Sequence, residues 1–457
     1  MYRKLILGGL FAALPLWSGS ASASEASDLF ARLDGKQCQS ALAELQSRAV
    51  AGDLTSLMFL GAAHGDGKCT KKNSQLAFRM FGEAAGKGDA DAQAFLGRVY
   101  ANGQGVTKDD RVAVGWYRKA AEQGHRVAQL DLGVMYANGR GIAKDERLAA
   151  EWYRKAAELG HAGAQFELGL MYQNGTGIAK DDRLAVQWYR KAAEQGNSNG
   201  QHNLGTMYDE GRGVERDERL AVEWYRKAAD QGQVDAQSML GLRYAQGQGV
   251  GKDERLAVQW FRKAAVQGDA KAQNNLGASY EIGQGVIRDP AEAVRWYELA
   301  ARQGHARAQL NLGQALRDGV GVGLDPVRAL AWMELASAAN NPPSQAAQER
   351  DVLARGLNES QRADSLRLAL AWKQGSAMAA PRVKVPAAPL TPKPVAATAS
   401  DLFPARPNAQ PGRTACNTRC NNGSCYRTFD NGRKAQFQAQ RKYNAFTSQW
   451  DWDSGGC

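Results

Sequence analysis

The sequence contains few of the residues from which catalytic and metal sites are built. Five histidines and six cysteines occur in 457 residues. No serine has a lysine three residues after it, so the S-x-x-K signature of penicillin-binding enzymes is absent, as is the H-E-x-x-H zinc motif. Beyond the first 23 residues, no stretch is apolar enough to span a bilayer. The sequence therefore predicts a protein that is not an enzyme, uses no cofactor or metal, and does not span the membrane.

The first 23 residues have the composition of a secretory signal peptide. Arg3 and Lys4 precede an apolar run over residues 5–17, and Ala21-Ser22-Ala23 fits the small-residue pattern of a cleavage site. The run is shorter than a transmembrane helix requires, and no cysteine follows the site, which argues against a lipoprotein. We expect the mature chain to begin at Ser24 and to be periplasmic or secreted.

A repeat of 36 residues fills most of the chain. Gly160 recurs at this step, and Asn340 takes the last equivalent place. A fixed period of this length indicates a solenoid of stacked helical units. Seven tryptophans mark the step: Trp116, Trp152, Trp188, Trp224, Trp260, Trp296 and Trp332.

Each copy of the repeat predicts two helices. Asp145 can cap the first, here called the tryptophan helix, whose apolar stripe includes Trp152 and which ends at Gly160. The second, called the glutamine helix, carries the letters A-Q-x-x-L-G. Its internal Gly169 predicts a close backbone approach beneath a neighbouring tryptophan. The G-x-G sequence that follows a helix in every copy predicts a structural turn rather than a phosphate loop.

Three recurring side chains have structural interpretations. The tryptophans are expected in the core rather than in an aromatic binding site, and the basic pair Arg154-Lys155 is expected on a solvated face. His125, His161 and His305 share one repeat position. Equivalent positions lie a whole repeat apart, which is too far for one metal ion. We therefore interpret these histidines as structural or solvated.

The repeated letters resemble a known family. The pattern A-Q-x-x-L-G-x-M-Y-x-x-G-x-G-V followed by A-x-x-W-Y-x-K-A-A-x-x-G is similar to the Sel-one-like repeat (SLR), a tetratricopeptide-type αα repeat, over residues 52–340. The resemblance implies an all-α fold, a right-handed αα-superhelical solenoid over residues 24–375 with degenerate caps. Two helices, over residues 345–355 and 359–372, are expected to form the C-terminal cap, with Asn358 capping the second.

The same resemblance places a binding surface. In such solenoids one helix of each pair lines the concave groove, and here that implies the glutamine helix. Its core letters repeat, whereas other positions vary and can carry specificity. Asparagine amides can hold an extended peptide backbone by donating and accepting hydrogen bonds. The candidate groove contacts are the amides Asn203, Asn275 and Asn311 and the apolar Phe166 and Leu130, the alternative being that these side chains only solvate the groove.

The cysteines fall into two groups. Cys38 and Cys69 lie in the degenerate N-terminal repeats, where Cys69 takes the place of a turn glycine. An even number of cysteines in an exported protein favours a Cys38–Cys69 disulfide over two buried thiols. The other four, Cys416, Cys420, Cys425 and Cys457, lie in the last 45 residues, with three possible pairings.

The C-terminal part changes character twice. Residues 376–412 form a linker rich in proline and alanine. Residues 413–457 are too few to bury a sufficient core, so we expect a small module stapled by two disulfides. Asp430-Asn431-Gly432 predicts a turn and hence a β-hairpin-rich fold. Four cysteines could instead hold zinc, but their irregular spacing disfavours a metal site, and the aromatics here are expected to be core rather than sugar-binding.

The positive charge is concentrated in the tail. The formal net charge is +11, of which +3 lies in the linker, +4 in the terminal module and about +2 in residues 24–375. A nucleic-acid-binding solenoid would carry its basic stripe on the folded groove. The distribution favours an anionic envelope surface or polymer as a partner of the tail, with no nucleic acid.

The leading hypothesis is therefore an exported bacterial adaptor. Its solenoid would bind protein or peptide partners in envelope assembly or regulation, and the tethered module would add a second contact. A second hypothesis is a protein that binds the peptidoglycan of the cell wall through the module and recruits an enzyme. A third is a hydrolase like the cysteine-rich relatives linked to β-lactam hydrolysis, but those carry a cysteine pair in each repeat, which this chain lacks.

Overall fold

The computed structural model describes residues 21–378 and five strand segments between residues 416 and 453. The chain divides into two units, residues 1–387 and 388–457. The predicted signal peptide falls mainly, and the linker almost entirely, outside the described residues. The side chains of Cys416, Cys420, Cys425 and Cys457 also lie outside them, so their predicted disulfides stay a prediction.

Twenty α-helices occupy the described part of the first unit, together with a short 3-10 turn at Arg32–Asp34. They are α1 (Ala21–Ala31), α2 (Cys38–Val50), α3 (Leu54–Asp66), α4 (Ser74–Gly86), α5 (Ala90–Asn102), α6 (Asp110–Glu122), α7 (Arg126–Asn138), α8 (Glu146–Glu158), α9 (Ala162–Asn174), α10 (Asp182–Glu194), α11 (Ser198–Glu210), α12 (Glu218–Asp230), α13 (Val234–Gln246), α14 (Glu254–Val266), α15 (Ala270–Ile282), α16 (Pro290–Arg302), α17 (Ala306–Asp318), α18 (Pro326–Ser337), α19 (Ala346–Gly356) and α20 (Glu359–Ala371).

The helices from α3 to α18 form eight units, each a glutamine helix followed by a tryptophan helix. The odd-numbered members are glutamine helices and the even-numbered members are tryptophan helices. Within a unit the two helices pack together, as α5 does on α6, and the tryptophan helix then packs on the next glutamine helix, as α6 does on α7. The predicted all-α solenoid with a 36-residue period is confirmed. Within residues 21–378, no helix is both long and apolar enough to cross a bilayer.

Side-chain caps begin nearly every helix of the solenoid, because the first N–H groups of a helix lack partners. Asp145 accepts from Arg147 N and Leu148 N at 3.0 Å. An aspartate at the same repeat position accepts from one or two backbone amides in the other tryptophan helices, except that Asn73 caps α4. The glutamine helices use a more varied set of capping residues, namely aspartate, histidine, asparagine and glutamine. Ring nitrogens of His125 and His161 accept from the amides of Ala128 and Ala164 at 3.0 and 3.3 Å. The recurring histidines are therefore helix caps.

A tyrosine, not a tryptophan, covers the internal glycine in five of the eight glutamine helices, and phenylalanine or methionine covers it in the others. A Cβ on Gly169 would lie 2.7 Å from the ring of Tyr189, and one on Gly133 would lie 2.6 Å from the ring of Tyr153. The close approach predicted for Gly169 is confirmed, but its predicted partner is wrong. Tyrosine occupies this place because it follows the tryptophan in sequence and so projects from the other side of the stripe, into the core.

The tryptophans instead form the edge of the core. Only the last two are buried, Trp296 at 8% and Trp332 at 3% exposure, whereas the preceding five are half-buried. Lysine ammonium groups cover these five rings, as Lys155 does at 4.0 Å from the centroid of Trp152, and Arg154 donates to the hydroxyl of Tyr172 at 3.3 Å. The basic pair Arg154-Lys155 is thus not only a solvated face, because it covers aromatic surface and links two units.

Buried glutamines tie each unit to the next. Gln165 donates from Nε2 to the carbonyl of Ala157 at 3.1 Å, and its Oε1 accepts from Gln195 of the following turn at 2.7 Å. The pair satisfies a buried amide and a free helix-end carbonyl together. The same pair joins Gln93 to Gln123, Gln201 to Gln231, Gln237 to Gln267, and Gln273 to Gln303.

Both ends of the solenoid are closed by atypical elements. Cys38 and Cys69 form a disulfide, as predicted, and Cys69 has a left-handed φ of 57° at the place of a turn glycine. At the other end α19 and α20 pack on α18, Asn358 caps α20 as predicted, and Trp372 meets Trp332 edge-on at 5.7 Å.

Five strands lie in the described part of the second unit. An antiparallel sheet has the order β1 (Cys416–Asn421), β2 (Ser424–Phe429), β3 (Lys434–Gln438), with Cys420 opposite Cys425 in the register. A separate antiparallel pair joins β4 (Gln440–Asn444) to β5 (Gln449–Asp453). Strands β2 and β3 flank the predicted Asp430-Asn431-Gly432 turn.

Candidate functional site

The candidate site is the face of the glutamine helices that is not packed in the core, here called the glutamine-helix face. The five predicted contacts, Asn203, Asn275, Asn311, Phe166 and Leu130, are all half-buried. They lie on α7, α9, α11, α15 and α17, so the structure places them along one row of helices rather than in one pocket. Half-burial of polar and apolar side chains together suits an extended contact surface.

Two of the three predicted asparagines belong to a hydrogen-bonded chain that crosses units. Asn311 on α17 donates to Oδ1 of Asn274 on α15 at 3.1 Å, and Asn274 donates to Oδ1 of Asn275 at 3.3 Å. Asn274 is 7% exposed, and its hydrogen bonds hold the side chains of Asn275 and Asn311 in place. Sequence reasoning did not assign Asn274 a role. The signal in the sequence that could have identified Asn274 is its position directly before Asn275, which makes two consecutive asparagines.

The two predicted apolar contacts lie on neighbouring units. The Phe166 ring lies 6.0 Å from the ring of Tyr189, so its inner edge is part of the core. Leu130 on α7 reaches the backbone of Gly163 on α9, where an added Cβ would lie 3.5 Å from its Cδ2. The residue at the Phe166 position one unit further is His202, which lies 5.6 Å from the ring of Tyr225.

The glutamine-helix face also holds two carboxylates that were not among the predicted contacts. Asp131 occupies the repeat position of Asn203 on α7, and Glu167 occupies it on α9. Burial raises the pKa of Asp131 to about 6, against the opposing charges of Arg98 and His125 and the hydroxyl of Tyr117. Burial alone raises the pKa of Glu167.

Other carboxylates near this face already have partners within the chain. Asp209 on α11 forms an ion pair with Arg243 on α13, in which both side chains are about 10% exposed. Asp91 pairs with Nε2 of His125 at 2.8 Å, and Glu281 accepts from the hydroxyl of Tyr297 at 2.6 Å. These contacts join successive glutamine helices or hold a core tyrosine, so their role is structural.

Neither a metal cluster nor the strand–helix setting of a hydrolase serine occurs in the described part of the chain. Residues 24–378 contain no group of three histidine, cysteine, aspartate or glutamate side chains placed to hold a metal ion. Gly196-Asn197-Ser198-Asn199-Gly200 matches the G-x-S-x-G pattern of α/β-hydrolases, but it joins α10 to α11, and Ser198 is the first residue of α11 rather than the tip of a strand–helix turn. A shallow cavity of about 460 Å³, lined by Lys144, Asp145, Glu146, Arg147 and Gly177, lies at a repeat turn.

The fold and this face define an αα helical-repeat protein. The Sel1 repeat model matches eight successive segments, residues 55–89, 90–125, 126–161, 162–197, 198–233, 234–269, 270–305 and 306–341. The chain belongs to the Sel1 repeat family, which confirms the resemblance drawn from its consensus.

Solved structures of bacterial proteins resemble the chain. A protective antigen of uropathogenic Escherichia coli with an SLR fold is 32% identical, over 77% of this chain and 84% of that chain, with a TM-score of 0.48. A Sel1 repeat protein from Oxalobacter formigenes is 37% identical, over 50% and 92%, with a TM-score of 0.47. An immunity protein from Pseudomonas aeruginosa is 24% identical, over 50% and 81%, with a TM-score of 0.31. No curated protein matches the chain.

Proposed function

We propose that this protein is an exported bacterial adaptor without catalytic activity, which binds an extended segment of a protein partner along its glutamine-helix face. Repeat solenoids bind proteins through surfaces that continue from unit to unit. The asparagine chain that joins Asn311, Asn274 and Asn275 is the observation that carries the proposal.

The hydrogen-bonding inventory of this chain leaves groups for a partner. Each asparagine side chain has two donors and one acceptor oxygen. Asn275 uses its Oδ1 within the chain, which leaves its NH₂ for a partner carbonyl, and Asn311 uses one donor, which leaves its Oδ1 for a partner N–H. A peptide backbone offers both groups, so two asparagines one repeat apart can hold it at two points. Their bonds to Asn274 fix the two amides before binding and lower the entropy lost on association.

Export is supported by two observations. The Cys38–Cys69 disulfide is typical of proteins that fold in an oxidising compartment. The basic, apolar and small-residue regions of residues 1–23 have the order of a signal peptide. The proposal places the protein in the periplasm or outside the cell.

The C-terminal residues add a second contact in this proposal. Residues 413–457 would form a small β-rich module stapled by two disulfides, and their net charge of +4 would attract an anionic envelope polymer. A tether to the solenoid raises the effective concentration of one partner near the other.

In-cell photo-crosslinking tests the proposal. A photoreactive phenylalanine analogue placed at Asn203 or Asn275 should crosslink to one and the same envelope protein. Matched controls carry the analogue at Gln187 or Glu223, which are exposed on the tryptophan helices α10 and α12. Equal crosslinking from both sets of positions, or none from Asn203 and Asn275, would rule out the glutamine-helix face as the binding surface.

A further inference from the structure

The variable residue of the G-x-G turn can bind the tryptophan helix of the preceding unit. Arg140, in the turn after α7, donates from Nε and Nη2 to the two carboxylate oxygens of Asp110 at 3.3 and 2.6 Å. Arg212, in the turn after α11, makes the same two-pronged contact with Asp182 at 3.4 and 2.9 Å. In both places, the carboxylate that begins a tryptophan helix holds an arginine of the next turn.

The turn between these two has the carboxylate but no arginine. Glu146 begins α8 as the two aspartates begin α6 and α10, and Thr176 takes the place of the two arginines. Threonine is short and uncharged, so it cannot replace a guanidinium. A cavity of about 460 Å³ that borders Glu146 and Gly177 lies at this turn. We call this cavity the Glu146 slot.

The backbone around the Glu146 slot matches the backbone around the two filled sites. A Cβ on Gly177 would lie 2.2 Å from the carbonyl oxygen of Glu146, and one on Gly141 or Gly213 would lie 2.2 Å from the carbonyl oxygen of the residue that begins α6 or α10. The three glycines have φ values of 70°, 67° and 66°. Each turn therefore rests on its helix in the same way, and the slot corresponds to the space that a guanidinium fills in the other two sites.

Lys144 is the chain's own competitor for Glu146. Its Nζ lies 2.6 Å from the carboxylate, whereas the equivalent Lys108 and Lys180 lie 3.7 and 3.9 Å from carboxylates that hold an arginine. A lysine ammonium is a point charge and does not supply the parallel donors of a guanidinium. The Glu146 side chain is 39% exposed, against 22% and 25% for the two aspartates that hold an arginine, so it stays accessible to a second donor.

We infer that the Glu146 slot binds an arginine side chain of a protein partner, whose guanidinium donates two hydrogen bonds to the Glu146 carboxylate. A polypeptide is the favoured source, because the chain itself places an arginine side chain in the equivalent site twice. The slot lies at a turn between helices rather than on the glutamine-helix face. It therefore goes beyond the proposed function and does not depend on it.

Saturation-transfer NMR on the full-length protein tests this site, because one half-exposed ion pair binds weakly and the method detects weak ligands. The probe is arginine capped as its N-acetyl methylamide, which presents the side chain as a polypeptide does. The citrulline analogue has the same shape without the charge and should bind about tenfold more weakly. The lysine analogue keeps the charge without the fork of donors, and should also bind more weakly than arginine.

Three variants locate the bound probe. Thr176→Arg fills the slot from within the chain and should remove the signal of the arginine probe. Thr176→Val is the matched control, because it keeps the size of threonine, and should retain the signal. Arg140→Thr empties the equivalent site at Asp110 and should about double the signal, since the two sites are separate and independent. Circular dichroism should show the same helix content in all four proteins.

The outcomes that would overturn this assignment are distinct from a failure of the proposed function. Absence of binding by the arginine probe, or equal binding to wild type and Thr176→Arg, would exclude the slot as a site. A citrulline analogue that binds as tightly as arginine would exclude the ion pair. Free arginine that binds more tightly than the capped probe would assign the slot to the amino acid instead of a protein partner. None of these results bears on the asparagines of the glutamine-helix face, which crosslinking tests separately.

Discussion

The unit formed by α7 and α8 lacks the glutamine–glutamine hydrogen bond that five other units make, and a substitution can restore it. Gln129 is 4% exposed and its Oε1 has no hydrogen-bond partner. The residue that should donate to it, 30 positions later, is Leu159, where five other units have glutamine. Leu159 is 51% exposed, so its side chain contributes little to the core. We predict that Leu159→Gln stabilises the protein.

The magnitude follows from the equivalent bonds. Gln195 donates to Gln165 at 2.7 Å, and its φ and ψ of −83° and 5° match the −78° and 10° of Leu159. A glutamine at position 159 can therefore donate without any backbone change. A net hydrogen bond contributes about 1 kcal/mol, and a buried acceptor without a partner costs about 1–3 kcal/mol. We expect Leu159→Gln to raise the free energy of unfolding by about 1–2 kcal/mol.

The assay is urea unfolding of the full chain, monitored by the helical circular dichroism signal. Leu159→Met is the matched control, because it has similar length but no donor. Gln195→Leu is the converse variant, which should leave Gln165 Oε1 without its partner and lower stability by a similar amount. Leu159→Gln should raise the free energy of unfolding relative to wild type, and Gln195→Leu should lower it.

Two results would refute the reasoning. One is a midpoint for Leu159→Gln that equals that of Leu159→Met, since the donor would then contribute nothing. The other is a Gln195→Leu variant as stable as wild type, which would show that the glutamine pairs do not stabilise the stack.

Three other predictions follow from particular contacts. Gly169→Ala should destabilise by about 1–3 kcal/mol, because its Cβ would lie 2.7 Å from the Tyr189 ring. Replacing Cys38 by serine and Cys69 by glycine opens a loop of 31 residues and should cost about 3–4 kcal/mol in thermal or urea unfolding. Asp131→Asn should stabilise by up to about 3 kcal/mol at pH 7.5 and have no effect below about pH 4. This sign follows because the folded-state pKa, about 6, lies above the ordinary value of 3.8, so the folded carboxyl resists ionisation as pH rises through this window.

Each of these predictions has its own control. Gly115→Ala lies inside α6 with no atom near its Cβ, and should stabilise slightly where Gly169→Ala destabilises. Reduction of the wild-type disulfide should reproduce the double-cysteine variant, and an unchanged midpoint would contradict the loop-entropy argument. Arg98, His125 and Tyr117 all face Asp131, so a pH-independent effect of Asp131→Asn would show that they already offset its burial.

The sequence alone was sufficient to predict the features that repeat. A 36-residue period, an aspartate or asparagine before each tryptophan helix and a glycine or asparagine after it correspond to local geometry, so the helices, their caps and the units could be derived. The Cys38–Cys69 disulfide was predictable because the cysteine count is even in a chain expected to be exported, and both cysteines lie in the degenerate N-terminal repeats. These inferences needed no knowledge of how one unit rests on the next.

Features that depend on stacking could not be derived in this way. The tryptophan and tyrosine of each tryptophan helix are adjacent in sequence, and only the packing of α9 against α10 shows that Tyr189, not Trp188, covers Gly169. The bond between Asn311 and Asn274 spans 37 residues, one more than the period, so it joins two different repeat positions on successive glutamine helices. Gln129 is a similar case, because only the structure shows that its buried Oε1 has no hydrogen-bond donor and that Leu159 occupies the donor's position.

The central claim is that the glutamine-helix face binds the partner, and one affinity measurement tests it most directly. The crosslinked envelope protein would be titrated against wild type, against the Asn203→Ala, Asn275→Ala, Asn311→Ala variant, and against a control with alanine at the exposed tryptophan-helix residues Gln187, Glu223 and Gln259. Our account predicts that the asparagine variant binds at least about tenfold more weakly and the control binds as wild type does. Equal affinity of all three proteins would contradict it.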